Sequence, residues 1–247
     1  KNLDISTRSL EIENLISFTR NFKNTPELYI LEKIIKKGFL ISDINLEFDK
    51  EGNIKSNYKV KGLVKDVQLK SFKKYNFKKI DFSFNFEKKM LNLENVKLSL
   101  NDTVFLSNKI DIKKDDNNQF LVKGLAQTQR LNFKDKFFAT FLKDNFPKLN
   151  LIDIDLSSKS KFSFLVDKKF KFNNLNLFSE IQINNLKLKN YSELKSFMPK
   201  LKNEINLDNH IITIDYKKNN LSINGKGDIF FQDNKDLIKY SFLKKEN

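Results

Sequence analysis

The stretch Ile80–Leu100 reads IDFSFNFEKKMLNLENVKLSL. Phe82, Phe84 and Phe86 alternate with Ser83, Asn85 and Glu87, and a polar tip, Glu87-Lys88-Lys89, follows. Alternation resumes through Leu91 and Leu93 and, after a change of phase, through Val96, Leu98 and Leu100. Successive side chains of a β-strand point to opposite faces, so a period of two marks a strand with one apolar and one wet face. The stretch predicts a β-hairpin. Whether Leu98 and Leu100 share a wall with Leu91 and Leu93 depends on a bulge or short turn at the phase change, because a slip of one residue swaps the faces.

The same theme runs along the chain. Leu3-Asp4-Ile5 and Leu10-Glu11-Ile12 alternate as strands. Ile44, Leu46 and Phe48 lead into the loop Asp49–Asn53, and Ile54, Ser56, Tyr58, Val60, Gly62 and Val64 return, with Val67 and Leu69 read as a further strand. Phe105 opens another segment; Ile110 and Ile112 enter a loop that Phe120, Val122 and Gly124 leave. Ile152, Ile154 and Leu156 alternate again. Phe162, Phe164 and Val166 then run to Asp167-Lys168-Lys169, and Phe170 and Phe172 run back. Leu175, Leu177, Ile181, Ile183, Leu186 and Leu188 follow. The last hairpin carries Ile212, Ile214 and Tyr216, then Leu221, Ile223, Gly225 and Gly227, with Ile229 and Phe231 beyond.

An internal echo links Phe82–Lys89 to Phe162–Lys169, and Val60-Lys61-Gly62-Leu63 to Val122-Lys123-Gly124-Leu125. The matches are short, so they mark a recurring hairpin unit and not a strict solenoid period.

Three short helices are expected, near 26–37, 135–146 and 192–202. Thr25-Pro26-Glu27 is a start signal, with a capping hydroxyl, a proline suited to the first turn and an acid at the positive end of the dipole. Lys36-Lys37-Gly38 reads as its end. Phe137, Phe138, Phe141 and Leu142 stripe the second helix and Pro147 stops it; Leu194, Phe197, Met198 and Leu201 stripe the third.

The chain has 247 residues, 39% hydrophobic and 31% charged, with 25 phenylalanines, 6 tyrosines and no tryptophan. The formal net charge is +15. A basic balance points to nucleic acid or an anionic membrane surface. Arginine, the residue favoured for bidentate phosphate and base contacts, occurs only at Arg8, Arg20 and Arg130. Lys, Asn, Ile and Phe share AT-rich codons, so base composition alone accounts for much of the lysine. Nucleic acid is therefore not the expected partner. There is no cysteine, which excludes disulfides, thiolate metal sites and a cysteine nucleophile. The chain begins at Lys1 and ends amid charged residues. It is read as one continuous β segment, 1–247, of a longer protein.

About a dozen strands at ~4.8 Å spacing make a sheet roughly 55 Å wide. Its apolar face must meet something apolar, and three short helices do not cover that much. Two answers stand: a closed sandwich or barrel filled by its own side chains, or an open trough whose filling is a ligand. Sandwich cores mix apolar sizes to interdigitate, whereas these faces repeat Phe, Leu and Ile. A wall of that kind suits acyl chains, each methylene contributing about 0.8 kcal/mol on burial. The candidate lining residues are Phe82, Phe84, Phe86, Leu91, Leu93, Phe120, Val122, Phe162, Phe164, Val166, Phe170, Phe172, Ile181, Ile183, Ile212 and Ile214.

Two stretches resemble a known family. The first is the helix from Leu31, Lys36-Lys37-Gly38, Ile44-x-Leu46-x-Phe48-Asp49 with Gly52, and Val60-x-Gly62-x-Val64. The second is Ile212-x-Ile214-x-Tyr216, Leu221-x-Ile223-x-Gly225-x-Gly227-x-Ile229 and Lys239-Tyr240. Together they are similar to the AsmA-like superfamily, nearest the YhdP and TamB type. The resemblance implies a mainly β protein whose long antiparallel twisted sheet curls into an open apolar groove. It also implies a non-enzymatic role, the groove carrying phospholipid acyl chains between the inner and outer membranes of a Gram-negative envelope. The location implied is the periplasm, with anchoring to the inner membrane by a segment outside this chain. No cofactor is implied. The competing reading is a closed β-sandwich with a structural or adhesive role and no lipid.

Other candidate chemistry is thin. His210, the single histidine, has no acid at catalytic spacing and reads as a surface residue. Asp111, Asp115 and Asp116 lack the Gly and terminal Glu of a calcium loop and read as a solvated tip. Gly225-x-Gly227 lacks the third glycine and following helix of a dinucleotide site. Catalysis and metal binding are not expected.

Overall fold

The computed structural model describes every residue except 23–24, 71–74, 116–118, 133, 146–150, 168–170, 190–203, 232–233 and 246–247. The helix expected at 192–202 and the lining residue Phe170 lie outside the described residues.

The chain opens with β1 (Asn2–Ser6), β2 (Leu10–Glu11), α1 (Ile12–Phe22), α2 (Pro26–Ile34) and β3 (Ile35–Glu47). Then come β4 (Lys59–Leu69), β5 (Phe77–Glu87), β6 (Met90–Leu100), β7 (Thr103–Lys114) and β8 (Phe120–Asn132). After α3 (Lys136–Asn145) follow β9 (Leu151–Val166), β10 (Phe172–Lys189), β11 (Glu204–Lys217), β12 (Asn220–Phe231) and β13 (Asn234–Lys244). Hydrogen-bonded neighbours follow the order β1-β3-β4-β5-β6-β7-β8-β9-β10-β11-β12-β13, with β2 also on β3. The first and last strands of that order do not pair with each other. The fold is mainly β, an open antiparallel sheet with few helices, as the alternation predicts. All described strands belong to this one sheet, where a sandwich needs two packed face to face.

The chain divides into two compact units. The first is Lys1–Leu125 with Leu165–Phe172, the second Ala126–Phe164 with Asn173–Asn247. In the first unit α1 packs on β3 and on α2. Ile16 is buried there, and an Arg20–Glu32 ion pair ties the two helices together. In the second unit Phe138 and Leu142 of α3 pack on Leu131, Ile154, Leu156 and Ile183.

Three boundaries differ from expectation. Leu10 and Glu11 form the expected strand, β2, but Ile12 opens helix α1 instead of continuing it; Ile12, Leu15, Ile16 and Thr19 carry the helical period. Helix α2 starts as expected, with Thr25 Oγ1 accepting from the Leu28 N–H, but it ends at Ile34. Lys36-Lys37-Gly38 is strand, not a helix end. A Cβ on Gly38 would lie 3.1 Å from Ile12 Cδ1 and 2.6 Å from Val67 Cγ2. That glycine therefore serves close packing of α1 on the sheet. Val67 and Leu69 belong to the same strand as Val60.

Three hairpin tips are two-residue turns with both residues at positive φ: Lys88 and Lys89 (49° and 63°), Asn101 and Asp102 (46° and 72°), Lys218 and Asn219 (49° and 63°). This is the type I′ geometry that matches strand twist and favours Asn-Gly. Lysine there carries a left-handed cost of about 1 kcal/mol. Lys89→Gly is expected to raise stability by about 0.5 kcal/mol once glycine's greater unfolded entropy is subtracted. Urea titration followed by circular dichroism checks this.

Candidate functional site

In the first unit, strand register sets which side chains share a face. Val64 pairs with Phe82, Gly62 with Phe84 and Val60 with Phe86. Phe84 pairs in turn with Leu93, and Phe86 with Leu91. Leu93 and Leu91 pair with Ile110 and Ile112. Five of the expected lining residues, Phe82, Phe84, Phe86, Leu91 and Leu93, are thus brought onto one apolar face. All five remain partly exposed. The Phe82 and Phe84 rings meet edge-on, with centroids 6.4 Å apart. The Phe84 ring lies over Gly62, where a Cβ would sit 2.8 Å from Cε1.

The other face is wet. Its cross-strand partners include Lys61 with Asn85 and Lys59 with Glu87. The Lys59–Glu87 and Lys61–Asp43 ion pairs span 3.3 and 3.7 Å. Exposed pairs of this kind add little stability, but they keep this face polar.

The phase change between Leu93 and Val96 is a β-bulge. Asp81 and Ser83, two apart on β5, pair with Lys97 and Glu94, three apart on β6. The extra residue is Asn95, at φ 53°. It keeps Val96, Leu98 and Leu100 on the face that carries Leu91 and Leu93. Asp66 in β4 (φ 52°) and Lys79 in β5 (φ 49°) are inserted in the same way. The Asp81 carboxylate accepts a 2.8 Å hydrogen bond from the Asp66 N–H. Each bulge bends its strand and adds twist, the device by which sheets acquire curvature.

Phe120, Val122 and Val166 are also partly exposed members of the first unit. Phe172, the first residue of β10, is 73% exposed.

In the second unit Ile181 pairs with Ile212, Ile183 with His210 and Ser179 with Ile214. The Phe162 and Phe164 rings stack at 5.9 Å, interplanar angle 20°. Ser160, two residues before Phe162, meets Ser179 through a 2.8 Å hydroxyl contact. Ile183 is only 5% exposed, because it lies in the cluster packed by α3. Ile181 and Ile212 pack against that cluster. Helix α3 therefore covers part of the face expected to be open lining.

His210 corrects the surface reading. It is fully buried. Asn209, at φ 49°, is a bulge residue on β11 opposite β12, and His210 lies over Gly227, where a Cβ would fall 2.3 Å from Nδ1. Tyr240 stacks beside it at 6.1 Å and in turn covers Gly225. Burial pushes the Tyr240 phenol above its usual range. Among the described residues neither ring nitrogen of His210 has a hydrogen-bond partner. The signal was present in the sequence: His210 is in phase with Ile212 and Ile214, and two glycines stand on the neighbouring strand. Asp228 accepts from Lys235 at 2.9 Å and from the bulge residue Asn209 at 3.2 Å. These bonds, that from Lys235 foremost, hold its carboxyl below the usual range.

By fold and surface the chain is an open antiparallel β-sheet protein with a partly exposed aliphatic and aromatic face. No family model, curated protein or solved structure matches it. Among the described residues no helix is long and apolar enough to cross a membrane.

Proposed function

We propose that the apolar sheet face binds phospholipid acyl chains, and that the chain acts without catalysis as a stretch of a lipid conduit between inner and outer membranes. In this reading it works in the periplasm as part of a protein of the AsmA-like, YhdP and TamB kind, held to the inner membrane by a segment beyond these residues. One observation carries the reading. Phe82, Phe84, Phe86, Leu91 and Leu93 share a face in register and stay partly exposed, and the described strands form no second sheet to cover them. Contiguous apolar surface left open on a soluble protein marks a binding site. An acyl chain supplies the missing cover at about 0.8 kcal/mol per buried methylene. The contribution is spread over many side chains, so truncating any one of them costs little.

Native mass spectrometry of the purified chain tests this. Adducts with the masses of phospholipids, removed by delipidating detergent and restored by phospholipid vesicles, are the expected result. A protein that neither carries nor takes up phospholipid rules the proposal out.

A further inference from the structure

The tip Lys88-Lys89 ends the aromatic ladder of β5, and its lysines are not the residues that the turn favours. Both stand at positive φ, where asparagine and glycine fit and lysine is strained. Codon bias does not account for them, since asparagine codons are as AT-rich as those of lysine. At the opposite end of β6 the same kind of turn is built from Asn101 and Asp102. Residues held in a strained conformation cluster at ligand clamps. The echo of Phe82–Lys89 in Phe162–Lys169 repeats the combination in sequence, an aromatic ladder and then two lysines.

Within the first unit a further cation adjoins this tip. Lys114 continues the phase of Ile110 and Ile112 along β7. Its N–H donates to the Lys89 carbonyl at 3.3 Å, so the two strand ends lie side by side. Its Nζ stands over the Phe120 ring, 5.6 Å from the centroid. Phe86 pairs with Leu91, and Leu91 with Ile112. Lys114 lies two strand residues, about 7 Å, beyond the Ile112 end of that row. The acids nearby are engaged elsewhere. Glu87 holds Lys59 at 3.3 Å and Lys88 at 3.9 Å, and the Asp115 carboxylate accepts from the Gln119 N–H at 2.7 Å. Among the described residues no carboxylate pairs with Lys89 or Lys114.

We propose that Lys89 and Lys114, with Lys88 beside them, hold the phosphate of the lipid whose acyl chains lie along Phe86, Leu91 and Ile112. This rests on the acyl-chain reading above. A phospholipid joins apolar chains to a phosphate anion, and this end of the first unit joins an apolar face to unpaired ammonium groups at its rim. Hydrogen bonds from ammonium to phosphate are charge-assisted and stronger than neutral ones.

Competition between two lipids with the same acyl chains tests the site. Phosphatidylglycerol carries the phosphate and diacylglycerol does not. The full chain is offered equal amounts of both in alkyl-maltoside micelles, and bound lipid is counted by native mass spectrometry. The unaltered chain is expected to prefer phosphatidylglycerol by about tenfold. Lys88→Asn with Lys89→Gly and Lys114→Gln should bring the two lipids within about twofold of each other and leave diacylglycerol uptake unchanged. An Asn-Gly turn suits this tip better than lysine does, so the fold is retained. Sodium phosphate added at constant ionic strength should not erase the preference, because free phosphate lacks the acyl chains. Equal uptake by the unaltered chain, a variant that keeps the preference, or erasure by free phosphate overturns the headgroup site and leaves the apolar face standing. Uptake of neither lipid overturns the acyl-chain reading and this inference with it.

Discussion

Phe84→Glu is expected to cut phospholipid bound by the purified chain at least tenfold, with the strand signal in circular dichroism unchanged. Phe84 stands between Phe82, Gly62 and Leu93 on the apolar face, and it is partly exposed. A carboxylate there stays hydrated while the face is empty, so the fold survives. An acyl chain laid against it must strip that water, and an uncompensated buried charge costs several kcal/mol. A loss of only ~1.4 kcal/mol already gives the tenfold drop. Asn85→Glu is the matched control, placing the same charge one residue away on the wet face, where Asn85 pairs with Lys61. It should leave lipid binding unchanged. Phe84→Ala should lower binding by no more than about twofold, because one shortened side chain forfeits only part of a contact shared along the wall. Equal lipid loads in the Phe84→Glu and Asn85→Glu proteins would sink the assignment of the binding face.

Gly227→Ala is expected to destabilise the second unit by about 1–3 kcal/mol, the range for overpacking a filled site. The added methyl would lie 2.3 Å from His210 Nδ1 and 2.6 Å from His210 Cα. The first contact involves a buried side chain with little room to swing, and the second is backbone. His210→Ala in the same protein should recover part of the loss and not all, since the clash with Cα remains. Thermal melts read this as a fall of roughly 2–4 °C per kcal/mol. Full rescue by His210→Ala would show that only the imidazole was in the way. No destabilisation at all would mean that His210 does not lie over Gly227.

The strand content was legible because a period of two is a local property, written in residues such as Phe82, Phe84 and Phe86. The tips at Lys88-Lys89 and Lys218-Asn219 were legible as polar breaks in that period. Helix α1 was missed although Ile12, Leu15, Ile16 and Thr19 carry its spacing, because the short alternation Leu10-Glu11-Ile12 was extended across its start. The end of α2 was misplaced because Lys36-Lys37-Gly38 satisfies a helix-end pattern. The tertiary packing of Gly38 on Ile12 and Val67 gives that glycine a different purpose. Of the candidate wall, the part from Phe82 to Leu93 could be read as one face. Ile183 could not be told from core, since alternation says that a residue is turned from water and not what it meets.

The sequence by itself determined that this chain makes antiparallel hairpins with one apolar and one wet face, because neighbouring side chains of an extended backbone must point in opposite directions. Only the tertiary structure decided how those faces join. The bulge at Asn95 returned Leu98 and Leu100 to the wall of Leu91 and Leu93. The cross-strand glycines took in Phe84, His210 and Tyr240. Helix α3 covered Ile183. Each of these outcomes depends on pairing and packing between residues far apart in the chain. A local period is silent about such contacts.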